Sequence, residues 1–105
     1  MRIRSIASAA VLAMSLGGAA LAEDGAALYA AKTCSACHGK DAKTPLMADY
    51  PKIAGQNAAY AEKQMLDIKS GVRSNGNSAA MKGVMSIVTE ADIKVLAGYL
   101  STLQP

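Results

Sequence analysis

The sequence contains no tryptophan and no phenylalanine, and only four tyrosines in 105 residues. So short a chain with so few aromatics struggles to bury enough apolar area alone, and something beyond its own side chains is expected to complete the core. It has two cysteines and one histidine, which rules out the usual zinc sets unless carboxylates make up the tetrahedron. An excess of one charge is scarce as well. Eleven Lys and Arg face eight Asp and Glu. Two of the basic residues, Arg2 and Arg4, sit at the very start, and beyond them nine face eight. Nucleic-acid binding has no support from such a balance.

A long apolar run is also missing. The stretch from Ile6 to Leu16 is too short to span a bilayer comfortably. With Arg2 and Arg4 before it and Ala20-Leu21-Ala22 after it, the order is that of a secretory signal peptide over residues 1–22, cleaved after Ala22. An uncleaved anchor is the competing reading. Cleavage leaves 23–105 as one small domain without linker, repeat or low-complexity tract, exported and with no stable membrane insertion.

All the cysteine and histidine falls in one stretch, Cys34-Ser35-Ala36-Cys37-His38. Cys-x-x-Cys alone is ambiguous, since it also suits redox dithiols and half of a zinc site. The adjacent histidine sharpens it. Two thiols at this spacing can each add to a vinyl group of one porphyrin while the imidazole reaches the iron, so the stretch reads as a covalent attachment site for one haem c. A redox dithiol would follow a strand, whereas Asp24 to Lys32 is helical in pattern. A disulfide at this spacing would close almost no loop. Haem would also supply the missing apolar body, contributing roughly 25 cal/mol per Å² of apolar surface buried, and the apoprotein is expected to be largely unfolded.

In chain order, Asp24 caps an Ala-rich first helix running to the cysteines, with Gly25 and Ala26 small enough for another helix to approach. Gly39 to Pro45 reads as a loop, as does Leu46 to Gln56, laid over one haem edge. Asn57 caps a helix that ends before Gly71 and turns Ala61, Met65 and Ile68 inward. The chain reverses over 72–77, and Ser78 caps a short helical turn from Ala79 to Gly83. Thr89 and Asp92 stand in capping-box spacing before a last helix, Glu90 to about Leu103, with Ile93, Leu96, Ala97 and Leu100 on its apolar face.

A second axial ligand would have to be a thioether. Met65 lies in a core stripe, and Met47 follows the histidine too closely to cross to the other haem face. Met81 and Met85 remain, and spacing alone does not separate them.

The helix leading into Cys-x-x-Cys-His-Gly, followed by Tyr50-Pro51-Lys52-Ile53-Ala54-Gly55-Gln56, Tyr60, Lys63-Gln64 and Asp67-Ile68-Lys69-Ser70-Gly71, resembles a class I c-type cytochrome. It is most similar to one single-haem domain of the bacterial cytochrome c-four type and its one-domain relatives, and the likeness runs over essentially all of 23–105. The resemblance implies an all-α fold of three main helices and short turns wrapped around one haem. It also implies that the methionine eight residues before the Thr89 cap, Met81, is the second iron ligand. It places a proline seven residues after the histidine, Pro45, with its carbonyl toward the His38 imidazole. The single attachment motif excludes a two-haem chain.

His38 and Met81 together would leave the iron no open position, so the resemblance implies a periplasmic single-electron carrier and not an enzyme. Its partners would be redox donors and acceptors, a flavoprotein dehydrogenase or a terminal oxidase among them. The alternative is the cytochrome subunit of a periplasmic dehydrogenase such as flavocytochrome c sulfide dehydrogenase. A gas-sensing or peroxidatic haem would require the methionine to leave. Lys32, Lys40, Lys43, Lys52 and Lys82 are candidates for a basic docking rim.

Overall fold

Asp24 opens the first helix of a computed structural model that describes residues 24–105, within which five helices and no strand form. The leader expected over 1–22 lies outside the described residues. In α1 (Gly25–Ala31) the Asp24 carboxylate accepts the Ala26 N–H at 3.0 Å, satisfying one of the amides a first turn leaves free. The helix does not run on to the cysteines as expected. Thr33 takes a left-handed φ of 64° and its hydroxyl donates to the Lys32 carbonyl at 2.6 Å, so the chain breaks and starts again as α2 (Cys34–His38).

The next helix follows its sequence pattern closely. In α3 (Ala58–Ser70) Asn57 accepts the Tyr60 N–H at 3.0 Å, and Gly71 ends the helix at a φ of 90° that favours glycine. In α4 (Ser78–Met85) the expected single turn is a longer helix that passes through Gly83. Ser78 is not its cap; the cap position is Asn77, whose side-chain amide donates instead to Asp49 at 2.9 Å. Met85 at the far end is buried in the core and secures the extra turn.

α5 (Glu90–Ser101) begins with the full capping box: Asp92 N–H donates to the Thr89 hydroxyl and Thr89 N–H to the Asp92 carboxylate, both at 3.0 Å. It stops at Ser101 rather than Leu103. The Thr102 and Leu103 amides donate only three residues back, to Tyr99 and Leu100, which winds the end more tightly than an α-helix.

α3 and α5 lie against each other and carry most of the core. Ala61, Met65 and Ile68 meet Ile93, Leu96, Ala97 and Leu100, all buried. Complete burial of a side chain such as Leu96 is worth about 1.5–3 kcal/mol. α1 crosses α5 where Gly25 meets Tyr99, and a Cβ on Gly25 would collide with that side chain. The Tyr29 and Tyr99 rings pack at 5.8 Å and 49° beside the crossing. α4 packs on α3.

Candidate haem site

The restart at Thr33 sets up the site. Cys34, Cys37 and His38 fall at i, i+3 and i+4 of α2, which turns all three side chains to one side. The two thiols are half-buried and unpaired. Burial pushes the Cys34 thiol up from its ordinary value, opposite to the lowered value that makes a redox dithiol reactive. Among the described residues no cluster of three or more His, Cys, Asp or Glu side chains could hold a metal ion instead.

The loop after α2 folds back on it. Gly39 takes a φ of 89°, and a Cβ there would collide with the Thr44 carbonyl, so the Cys-x-x-Cys-His motif must be followed by glycine. Asp41 accepts the Lys43 and Thr44 N–H groups at 3.0 and 2.9 Å and the Thr44 hydroxyl at 2.8 Å. Those backbone N–H bonds hold its carboxyl below the usual carboxylate range. Leu46 N–H closes the loop on the Cys37 carbonyl at 2.9 Å.

No hydrogen bond joins the Pro45 carbonyl to the imidazole, where the resemblance places it. The loop containing it turns back onto the end of α2, and the carbonyl beside the histidine is that of Pro51, 2.9 Å from His38 Nδ1. Ala42 puts it there. Completely buried at a left-handed φ of 61°, Ala42 accepts the N–H groups of Ile53 and Ala54 at 2.8 and 3.0 Å and so pins the stretch that follows Pro51. Because a carbonyl only accepts, Nδ1 carries the proton and Nε2 keeps its lone pair for a metal. The ring is only 8% exposed, so this orientation is held by packing as well.

Two further residues were not singled out by sequence reasoning. Tyr29 donates its hydroxyl to the Gly39 carbonyl at 2.7 Å, tying α1 to the end of α2. Lys69 donates to the Met85 carbonyl at 2.8 Å, tying α3 to α4. The four candidate methionines separate by environment. Met65 and Met85 are core residues at 7% and 2% exposure, Met47 is 50% exposed on its loop, and Met81 is half-buried at the margin of the same core that Cys34 touches.

Unpaired thiols, an imidazole with a free Nε2 and a core poor in aromatics fit a tethered haem. A family model for cytochrome c matches residues 22–104. The chain belongs to the cytochrome c family. Cytochrome c-551 of Stutzerimonas stutzeri is 36% identical over 99 residues, covering 87% of this chain and 92% of that protein. The thiosulfate dehydrogenase electron acceptor of Stutzerimonas stutzeri (strain A1501) is 33% identical over 102 residues, covering 90% of this chain and 46% of that protein. The crystal structure of reduced recombinant cytochrome c4 from Pseudomonas stutzeri aligns with a TM-score of 0.61 at 36% identity, covering 68% of this chain and 38% of that one. This cytochrome thus spans less than half of the last two.

The fold is accordingly that of a class I cytochrome c. Its cofactor is one covalently attached haem c, for which Cys34 and Cys37 form the single fitting motif. Members of the family are electron-transfer proteins rather than enzymes.

Proposed function

We propose that this cytochrome is a periplasmic single-electron carrier whose low-spin iron is held by His38 on one side and Met81 on the other. The observation that carries the ligand assignment is the burial of Met85 in the core at 2% exposure, against the half-buried margin position of Met81 four residues earlier. When bound, the haem supplies a one-electron iron couple.

The protein's own residues set how that couple behaves. Pro51 holds the His38 ring and would make it a stronger donor to the iron, while the Met81 thioether would favour the reduced state. Two protein ligands leave no position for oxygen or peroxide. Export is supported by Arg2, Arg4, the apolar run after them and Ala20-Leu21-Ala22, so the leader over 1–22 is proposed to be removed. Among the described residues no helix is long and apolar enough to cross a membrane.

Lys40, Lys43, Lys52 and Lys82 are exposed and are proposed as the rim that meets an acidic partner. Lys32 leaves that set because its amine is engaged with the Ile87 carbonyl at 2.9 Å and lies 3.6 Å from Asp92.

A second reading, the cytochrome subunit of a periplasmic dehydrogenase, draws on the similarity to the thiosulfate dehydrogenase electron acceptor. A subunit would co-purify with a larger chain across a broad apolar interface, whereas a free carrier runs as one small domain. The ligand test is the visible spectrum of the holoprotein, with carbon monoxide added to the reduced form. Low-spin α and β bands unchanged by carbon monoxide, and a sulfur-to-iron charge-transfer band in the oxidised form that Met81→Ala abolishes, are expected. Carbon monoxide binding to the native protein would overturn the closed-site carrier.

A further inference from the structure

The turn between α4 and α5 is held by two lysines from elsewhere in the fold. At the end of α4 the Met85 carbonyl is one of the four that a helix leaves without an intrahelical partner. Lys69, from the last turn of α3, donates to it at 2.8 Å in a partly buried setting, and Val88 N–H shares it at 3.1 Å. Two residues on, the Ile87 carbonyl takes the Lys32 amine at 2.9 Å, and Lys32 also lies 3.6 Å from the Asp92 carboxylate that caps α5. A cation at a helix C-terminus is favoured by the backbone dipole as well as by the hydrogen bond. The other end of α4 has no such clamp, although Ser78 in its first turn is buried. Asn77 makes no side-chain cap, and its tie to Asp49 is exposed.

Met81 therefore sits one helical turn from a clamped end. We propose that Lys69, assisted by Lys32, is a positioning residue for the sixth ligand: it fixes the C-terminal end of α4 and so keeps the Met81 thioether against the iron. This rests on Met81 being that ligand. Neither lysine touches the haem in this account; each acts through the backbone of the turn after α4. When the clamp is cut, Met81 leaves the iron more readily and an added neutral ligand takes its place more easily.

The experiment measures the affinity of oxidised holoprotein for imidazole, followed by loss of the sulfur-to-iron charge-transfer band. It compares wild type, Lys69→Met, Lys69→Arg, Lys32→Met and Lys63→Met. Lys63 is on the same helix, exposed and paired only with Asp67, so its removal costs the same charge without touching α4. Lys69→Met is expected to bind imidazole about fivefold more tightly, as the loss of one charge-assisted, partly solvated hydrogen bond implies. Lys32→Met should move the same way by less, and Lys69→Arg should return most of the wild-type value.

Unchanged imidazole affinity in both Lys69→Met and Lys32→Met overturns the positioning role while leaving Met81 as ligand. An equal gain in Lys63→Met overturns it too, by reducing it to net charge. A charge-transfer band that survives Met81→Ala overturns the ligand assignment, and the positioning role with it. Should Lys69→Met fail to mature with haem, Lys32→Met alone decides by the same readout.

Discussion

Replacing Tyr29 with phenylalanine removes one hydroxyl from a ring that is only 3% exposed and deletes the 2.7 Å bond to the Gly39 carbonyl. Losing a buried hydrogen bond that strands its partner costs about 1–3 kcal/mol. Here the partner is not stranded. Gly39 keeps the Ala42 N–H at 3.1 Å on the same carbonyl, which puts the cost at the low end, about 1 kcal/mol. For a domain of this size that is a fall in Tm of about 4–8 °C. The pH dependence reports how the fold treats the proton of the buried hydroxyl. Burial, the largest cause, holds the Tyr29 pKa well above the ordinary tyrosine value of about 10. The fold therefore selects the protonated phenol. Its contribution is whole below about pH 10 and declines as pH rises further, by up to about 1.4 kcal/mol per pH unit, because the unfolded chain has released a proton that the folded chain retains. The Tyr29→Phe variant has no such proton to keep. Guanidinium unfolding of holoprotein, followed by circular dichroism at pH 7 and again above pH 10, should show the wild type ahead at pH 7 and its lead shrinking in alkali. Equal stability at pH 7, or a lead that is the same at both pH values, would refute the reasoning.

Four further outcomes follow from the same geometry. Gly39→Ala forces a left-handed backbone and a collision with the Thr44 carbonyl, so it should cost about 1–3 kcal/mol and lower the yield of haem-attached protein, read from the haem-to-protein absorbance ratio. Thr89→Ala opens the capping box and should cost about 1 kcal/mol in urea unfolding. Asp92 carries the pH signature of that box: the Thr89 N–H, above all, holds its carboxyl below the usual range, so its contribution is present above about pH 4 and fades as pH falls through the folded value. Asp92→Asn should accordingly flatten the acid limb of the stability curve. Cys34→Ser with Cys37→Ser, which removes the haem tether, should leave a chain with little helical circular dichroism, since among the described residues Tyr29 is the only buried aromatic.

Much of this fold is written locally. Asn57, Gly71 and the Thr89–Asp92 pair lie within four residues of the helix ends they specify, and Ala61, Met65 and Ile68 repeat at helical spacing, so a linear reading finds them. The thiols and the histidine are legible for the same reason, being one turn of helix. What failed to show depends on where the chain goes next. Choosing between Pro45 and Pro51 requires knowing that Ala42, in a stretch of polar neighbours that looks solvated, is wholly buried and pins Ile53 and Ala54. The break at Thr33 was hidden by the alanines before it, and α4 was cut short because Gly83 looks like a stop. Lys32 resembled a free surface charge, yet its partners, Ile87 and Asp92, lie more than fifty residues away.

The central claim is that His38 and Met81, and no other pair, hold the iron. Proton NMR of the reduced holoprotein with methyl-labelled methionine tests it most directly, because a methionine methyl bound above the haem plane is shifted far upfield by the ring current. One such methyl, missing in Met81→Leu and retained in Met85→Leu, is the predicted result. An upfield methyl that disappears in Met85→Leu instead, or none in the wild type, would contradict the account.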